Sequence, residues 1–295
     1  MITEVPDNLM TAWSFPVWPG LSLMVTCGLY FRGWQRARIT RQQELPRWRA
    51  VCFFLGIAAL WIAIASPINA LDDLLLSAHM TQHLILMSVA PPLLVLGAPT
   101  VPLLRGLPGP VLQTVVDPLL RAPWFRNALD VIKHPVFGWL SMNLAFLGWH
   151  VPAAFELALH SEAWHTIEHL CFFLTSLAFW WTVIQPWPSK AVWSRWAIIP
   201  YLIAADIVNT GLSAFLAFCG RVLYPTYAQA PRAFSLSPLD DQVAAGAGMW
   251  VFGSLIFLIA ALATMFQLLS PSYPAIARSR GLANTSSGVT PGHLN

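Results

Sequence analysis

The chain has 295 residues, 57% of them hydrophobic and only 10% charged, with a mean hydropathy of +0.60. A soluble domain carries about 25% charged residues, so this composition excludes an ordinary soluble globule and indicates an integral membrane protein. The net charge of +3 is small, and no basic run interleaved with aromatics points to nucleic acid.

The opening stretch, MITEVPDNLM, is acidic where a signal peptide would be basic, so no cleaved signal is expected. Apolar stretches of the length needed to cross a bilayer, about 20 residues, follow at 13–31, 48–67, 75–97, 136–157, 163–185, 196–219 and 242–269. The first is short and contains Pro16 and Pro19. The predicted fold is all-α, an integral membrane seven-helix bundle formed by residues 1–270. The Ser/Gly-rich tail, 271–295, is expected to be disordered. Residues 101–135, apolar but broken by Pro and Arg, are expected to lie along the cytoplasmic interface as short amphipathic pieces.

Loops rich in Lys and Arg stay in the cytoplasm. The connections after spans one, three and five, together with the tail, hold every basic residue except Arg221 and Arg232. This alternation places the N-terminus outside and the C-terminus in the cytoplasm. Cys27, Cys52, Cys171 and Cys219 form no CxxC pair and lie in or beside apolar stretches. They read as buried free thiols, not as a disulfide framework or thiolate cage.

With that orientation, His79, His83, His150, His160, His165 and His169 all fall in or just beyond the outer leaflet. Ionisable groups at membrane depth are costly and usually functional. In His79-Met80-Thr81-Gln82-His83, the two histidines are four residues apart, and Met87 follows at the same interval. Such positions share a helix face. Two imidazoles and a thioether suit copper better than magnesium or calcium, which prefer oxygen. The alternative is two satisfied polar residues with Met as packing. His165 and His169 also share a face, with Glu168 one turn from His165 as ligand or orienting carboxylate. This is not HExxH, and a zinc-protease reading lacks its motif. His150 precedes Pro152, which would free backbone groups at the end of span four, and Glu156 and His160 follow. A loop histidine such as His160 is more often simply solvated.

Asp206 and Asn209 on span six read as a structural junction in preference to a proton relay, and Asp72 and Asp73 as a solvated loop. Asp241 and Gln242 open span seven at the outer surface, and Gly246 and Gly248 are expected to permit close helix approach. No series of charges leads inward past Asp206, which disfavours a through-membrane pump or a copper importer.

His79 to His83 followed by Ala90-Pro91-Pro92-Leu93-Leu94-Val95-Leu96-Gly97-Ala98-Pro99 resembles the caa3-type cytochrome c oxidase assembly factors, the seven-span CtaG proteins of the Bacillus type. Trp149-His150-Val151-Pro152 with Phe155-Glu156 resembles a second block of that family. His165/Glu168/His169 resembles a third, and Asp241-Gln242 with Gly246 and Met249-Trp250 a fourth. The resemblance implies a multi-pass protein of the bacterial inner membrane that helps to provide copper to haem–copper oxidase. An unrelated single-span copper donor shares the name CtaG; its cysteine chemistry is not carried over, and this chain has no cysteine pair to support it.

The expected metal ligands are therefore His79, His83, His165, His169, His150 and Met87, with Glu168, Glu156, Asp241 and His160 orienting ligands or gathering cations. Copper is the expected metal and no catalysis is expected. Oxidase subunits and a periplasmic copper carrier are the expected partners. A haem-binding electron-transfer protein or oxidoreductase is the alternative, since imidazoles from two helices can ligate haem. A purely structural chaperone that packs on oxidase helices is a third reading.

Overall fold

The computed structural model describes residues 12–189, 192–232 and 235–270. The tail expected to be disordered lies outside them. Every element among the described residues is helical, as a lipid environment demands of a chain that must satisfy its own backbone hydrogen bonds. In chain order these are α1 (Val17–Thr40), α2 (Arg47–Ala65), α3 (Pro67–Leu71), α4 (Leu76–Leu84), a π-helical turn (Ile85–Val89) and α5 (Ala90–Leu96). Short helices occupy most of the next connection: α6 (Thr100–Gly106), α7 (Gly109–Val111), a second π turn (Leu112–Val116), α8 (Asp117–Arg121) and α9 (Pro123–Ile132). Then come α10 (Pro135–Trp149), α11 (Pro152–Leu159), α12 (Glu162–Ile184), a 3-10 turn (Arg195–Ala197), α13 (Ile198–Phe218), α14 (Pro225–Gln229) and α15 (Pro238–Leu269).

Five helical stretches among the described residues are long and apolar enough to cross a membrane: Arg47–Leu71, Leu76–Leu96, Glu162–Ile184, Arg195–Phe218 and Pro238–Leu269. The sequence predicted seven. The first predicted span lies on a helix that runs on to Thr40 and carries Arg32, Arg36 and Arg38. The fourth is cut in two. α10 stops at Trp149 after 15 residues, about 22 Å at 1.5 Å per residue, short of a hydrocarbon core of about 30 Å. Pro152 has no N–H to continue α10 and instead opens α11.

Trp18, Met24, Phe218 and Phe266 are each more than 70% exposed. Apolar side chains of that size do not cover a water-facing surface in such numbers; lipid is the solvent they fit. Leu76–Leu96 is the innermost span, with 56% of its apolar window buried, and it carries His79 and His83. α13 and α15 pack closely because Gly246 lets them: a Cβ there would sit 2.8 Å from both the Ala217 nitrogen and the Ser213 oxygen. Gly248 has no such neighbour, so only the first of the two predicted glycines permits an approach. Ser254 Oγ donates to Asp206 Oδ1 (2.6 Å) and Asn209 Nδ2 to the Met249 carbonyl (3.4 Å), so both polar residues of α13 tie it to α15.

The π turn has a local cause. Pro91 and Pro92 lack N–H groups, so the carbonyls one turn earlier lose their helical donors. Trp180 Nε1 donates to the orphaned Met87 carbonyl at 2.9 Å, which fixes α12 against the innermost span just below the histidines.

Candidate metal centre

His79 and His83 project from one face of α4, their ring centroids 4.3 Å apart. α12 brings His165 and His169, 4.2 Å apart. Facing each other, the two helices place His79 5.2 Å from His165 and His83 5.4 Å from His169. Phe155 and Phe172 close the sides, with centroids 5.0 Å from His79 and 4.6 Å from His83.

Glu168 lies in the middle and is fully buried. Its Oε2 is 3.8 Å from His79 Nε2 and its Oε1 is 3.8 Å from His83 Nε2. These separations are too long for hydrogen bonds. Both carboxylate oxygens, both ring nitrogens of His79 and of His83, and Nε2 of His165 and His169 have no hydrogen-bond partner among the described residues. Buried polar atoms are normally satisfied, and a cluster of orphans needs an explanation. Ligand atoms bound at about 2 Å to one ion stand about 3–4 Å apart, and the two His–Glu168 separations of 3.8 Å fall in that range. In two groups, His79/His83/His169 and Asp72/His79/His165, one donor atom of each residue lies within 4.8 Å of the others.

Asp72 was predicted to be a solvated loop residue, and the structure corrects this. It is 5% exposed, sealed in by Tyr227, whose hydroxyl donates to the Asp72 carbonyl at 2.7 Å. Burial, and then the adjacent Asp73, push its carboxyl up to about 8.

His150 is buried beside the cluster, its ring 6.2 Å from that of His83, but it sits one layer away and meets Met80 instead: Nε2 to Sδ is 3.3 Å. Met80 was not predicted, because it lies on a different helix face from His79. Met87 lies inside the π turn and meets only His83 of the four clustered imidazoles, across a cavity that both line.

His160 and Glu156 stand outside the cluster. The His160 side chain is 56% exposed, and its Nδ1 bonds the Glu156 carbonyl at 2.7 Å. The Glu156 carboxylate accepts from Thr226 N (3.2 Å) and Thr226 Oγ1 (2.6 Å), which anchors α14. Asp241 supports the centre from a distance. It accepts from Leu76 N at 2.6 Å and from Ser77 N and Oγ at 3.3 and 2.5 Å, capping α4. Gln242 receives the Leu223 N–H (2.8 Å) and donates to the Leu216 carbonyl (3.1 Å), which holds the loop after α13 onto α15.

Fold and site together define a helical membrane protein with a buried cluster of imidazoles around a carboxylate. Residues 28–270 match the cytochrome c oxidase caa3 assembly factor family (Caa3_CtaG), and the chain belongs to it. Among similar proteins, an uncharacterized protein of Mycobacterium leprae (strain TN) is 25% identical over 278 residues, 89% of this chain and 40% of its own length. Uncharacterized proteins of Mycobacterium bovis and Mycobacterium tuberculosis are each 26% identical over 190 residues, 62% of this chain and 28% of theirs. The chain thus spans less than half the length of these relatives. No solved structure matches it.

Proposed function

We propose that this chain binds copper in the imidazole cluster and helps deliver it to haem–copper oxidase subunits during assembly, without catalysing a reaction of its own. Family membership supports the assembly role. The copper reading rests on one observation: four imidazoles from two helices pack together beside a buried carboxylate, and Nε2 of all four and both carboxylate oxygens have no hydrogen-bond partner among the described residues. Nitrogen-rich sites of this kind favour copper over magnesium or calcium. His79, His83, His165 and His169 would hold the ion, with Asp72 and Glu168 supplying oxygen.

The same geometry favours an ion over haem. The rings pack on one another and on Phe155 and Phe172. The cavity beside His83 is about 30 Å³, and two larger ones, about 900 and 400 Å³, are lined by no histidine. None of these offers a haem-sized slab next to an imidazole.

The charge pattern supports a seven-span arrangement in the bacterial inner membrane, with the N-terminus outside. α1 and the broken pair α10 and α11 would then join the five longer spans, and the short helices α6 to α9 would lie at the cytoplasmic interface. That arrangement puts the cluster near the outer face, where a periplasmic carrier or an oxidase subunit can exchange copper with it.

Elemental analysis of detergent-purified protein tests the reading. Copper should co-purify with the wild type and be lost in His79→Ala and His169→Ala, and cells bearing these variants should contain copper-deficient oxidase. Unchanged copper in both variants and in their oxidase would overturn it.

A further inference from the structure

Beneath the imidazole cluster a separate group of side chains surrounds a cavity of about 30 Å³, enough for one ion or a water molecule. Thirteen residues line it, and Met80, Met87, Met142 and Met249 are four of them, half of the eight methionines in the chain. They come from α4, the π turn, α10 and α15, so no sequence motif joins them. Methionine serving as packing flexes to fill irregular gaps. Here four such side chains stand around a gap that remains open.

His150 supplies an independent observation. Its Nδ1 lies 2.7 Å from the Phe146 carbonyl oxygen, which can only accept. In the neutral ring the proton therefore sits on Nδ1, and Nε2 presents a lone pair. That lone pair points at Met80 Sδ, 3.3 Å away and also buried. Two buried lone pairs facing each other are unfavourable by themselves, but they are the arrangement of two ligands on one cation.

We infer that this chamber is a second metal site, which takes a cuprous ion on the Met80 thioether and further thioethers among Met87, Met142 and Met249, with His150 Nε2, which stands behind Met80 and outside the lining itself, as the nitrogen ligand. Soft thioether ligands select cuprous copper over harder divalent ions. No carboxylate lines the cavity among the described residues, and its side-chain oxygens, on Ser88, Asn143 and Asn209, are neutral, so the charge of a hard divalent cation would stay uncompensated. A single positive charge is also less costly than two in so apolar a chamber. His83 lines the chamber from the imidazole side, so the two sites adjoin. The inference does not depend on copper binding in the upper cluster.

The test uses the purified full-length protein, titrated with Ag(I) as a redox-inert stand-in and, without oxygen, with Cu(I). Wild type should bind the monovalent ion with sulfur in its X-ray absorption shell. Met80→Leu and the double variant Met142→Leu/Met249→Leu, which keep side-chain volume nearly constant, should weaken binding at least tenfold. The double variant His79→Ala/His169→Ala should lose divalent copper and keep Ag(I), which separates this site from the upper one. Should the leucine variants fail to fold, selenomethionine-labelled wild type provides the reading, since Ag(I) must then appear as a neighbour at the selenium edge. A shell of nitrogen and oxygen alone, full-strength binding by the leucine variants, or a selenium edge without silver would each overturn the inference.

Discussion

Asp241 Oδ2 accepts the Leu76 amide N–H at 2.6 Å, across 165 residues of sequence. The first turn of α15 thereby caps α4, the helix that carries His79 and His83, and a carboxylate at a helix N-terminus also complements the helix dipole. Removing it leaves the buried Leu76 amide without an acceptor. Asp241→Ala is expected to lower stability by about 1–2 kcal/mol and to weaken copper binding, while Asp241→Asn keeps most of both. Thermal unfolding in detergent and copper titration of the two variants check this. Equal behaviour of Asn and Ala would show that the cap is not the cause.

Glu168 offers a sharper test, because the structural and metal-binding roles predict opposite signs. A buried carboxylate without a cationic partner costs stability in the metal-free protein. Glu168→Gln is therefore expected to raise the melting temperature of the metal-free form, or leave it unchanged, and to lower copper affinity tenfold or more, the usual cost of losing a ligand or its orienting partner. A lower melting temperature with intact copper affinity would assign Glu168 a packing role.

Glu156 and His160 serve as controls that share the sequence neighbourhood of the site but not its space. His160→Ala is expected to change stability by less than about 0.5 kcal/mol and to leave copper content alone. Glu156→Ala loses the two bonds to Thr226 and should cost about 1–2 kcal/mol, again with copper retained. Loss of copper in His160→Ala would enlarge the site beyond the buried cluster.

Topology can be checked with single cysteines placed at His160 and at Arg41 in a background where the four native cysteines are replaced by serine or alanine. Under the seven-span arrangement, an impermeant thiol reagent added to intact cells should label the first position. The second should react only after the membrane is opened. Labelling of both from outside would reverse or break the proposed order of spans.

Much of the site was legible because helix periodicity is local. His79 and His83, and His165 and His169, stand four residues apart, and any α-helix turns such pairs to one side. The same rule served Met87 only in part: it shares a cavity with His83 but not with the other three imidazoles, the π turn before Pro91 and Pro92 having changed the pitch there. It failed for span four, where Pro152 ends one helix by starting another. Asp72 looked like a solvated loop residue because nothing near it in sequence reveals that Tyr227 covers it.

By itself the sequence determined that the chain is helical and lipid-solvated, and which imidazoles share a helix face. Composition and spacing act within a turn or two of the chain and need no partner. Only the tertiary structure decided that α4 and α12 face each other across Glu168, that Asp241 caps α4, and that four methionines from distant segments surround one cavity. Those relationships depend on which helices pack together, and packing is set by the fit of whole surfaces that no short stretch of residues contains.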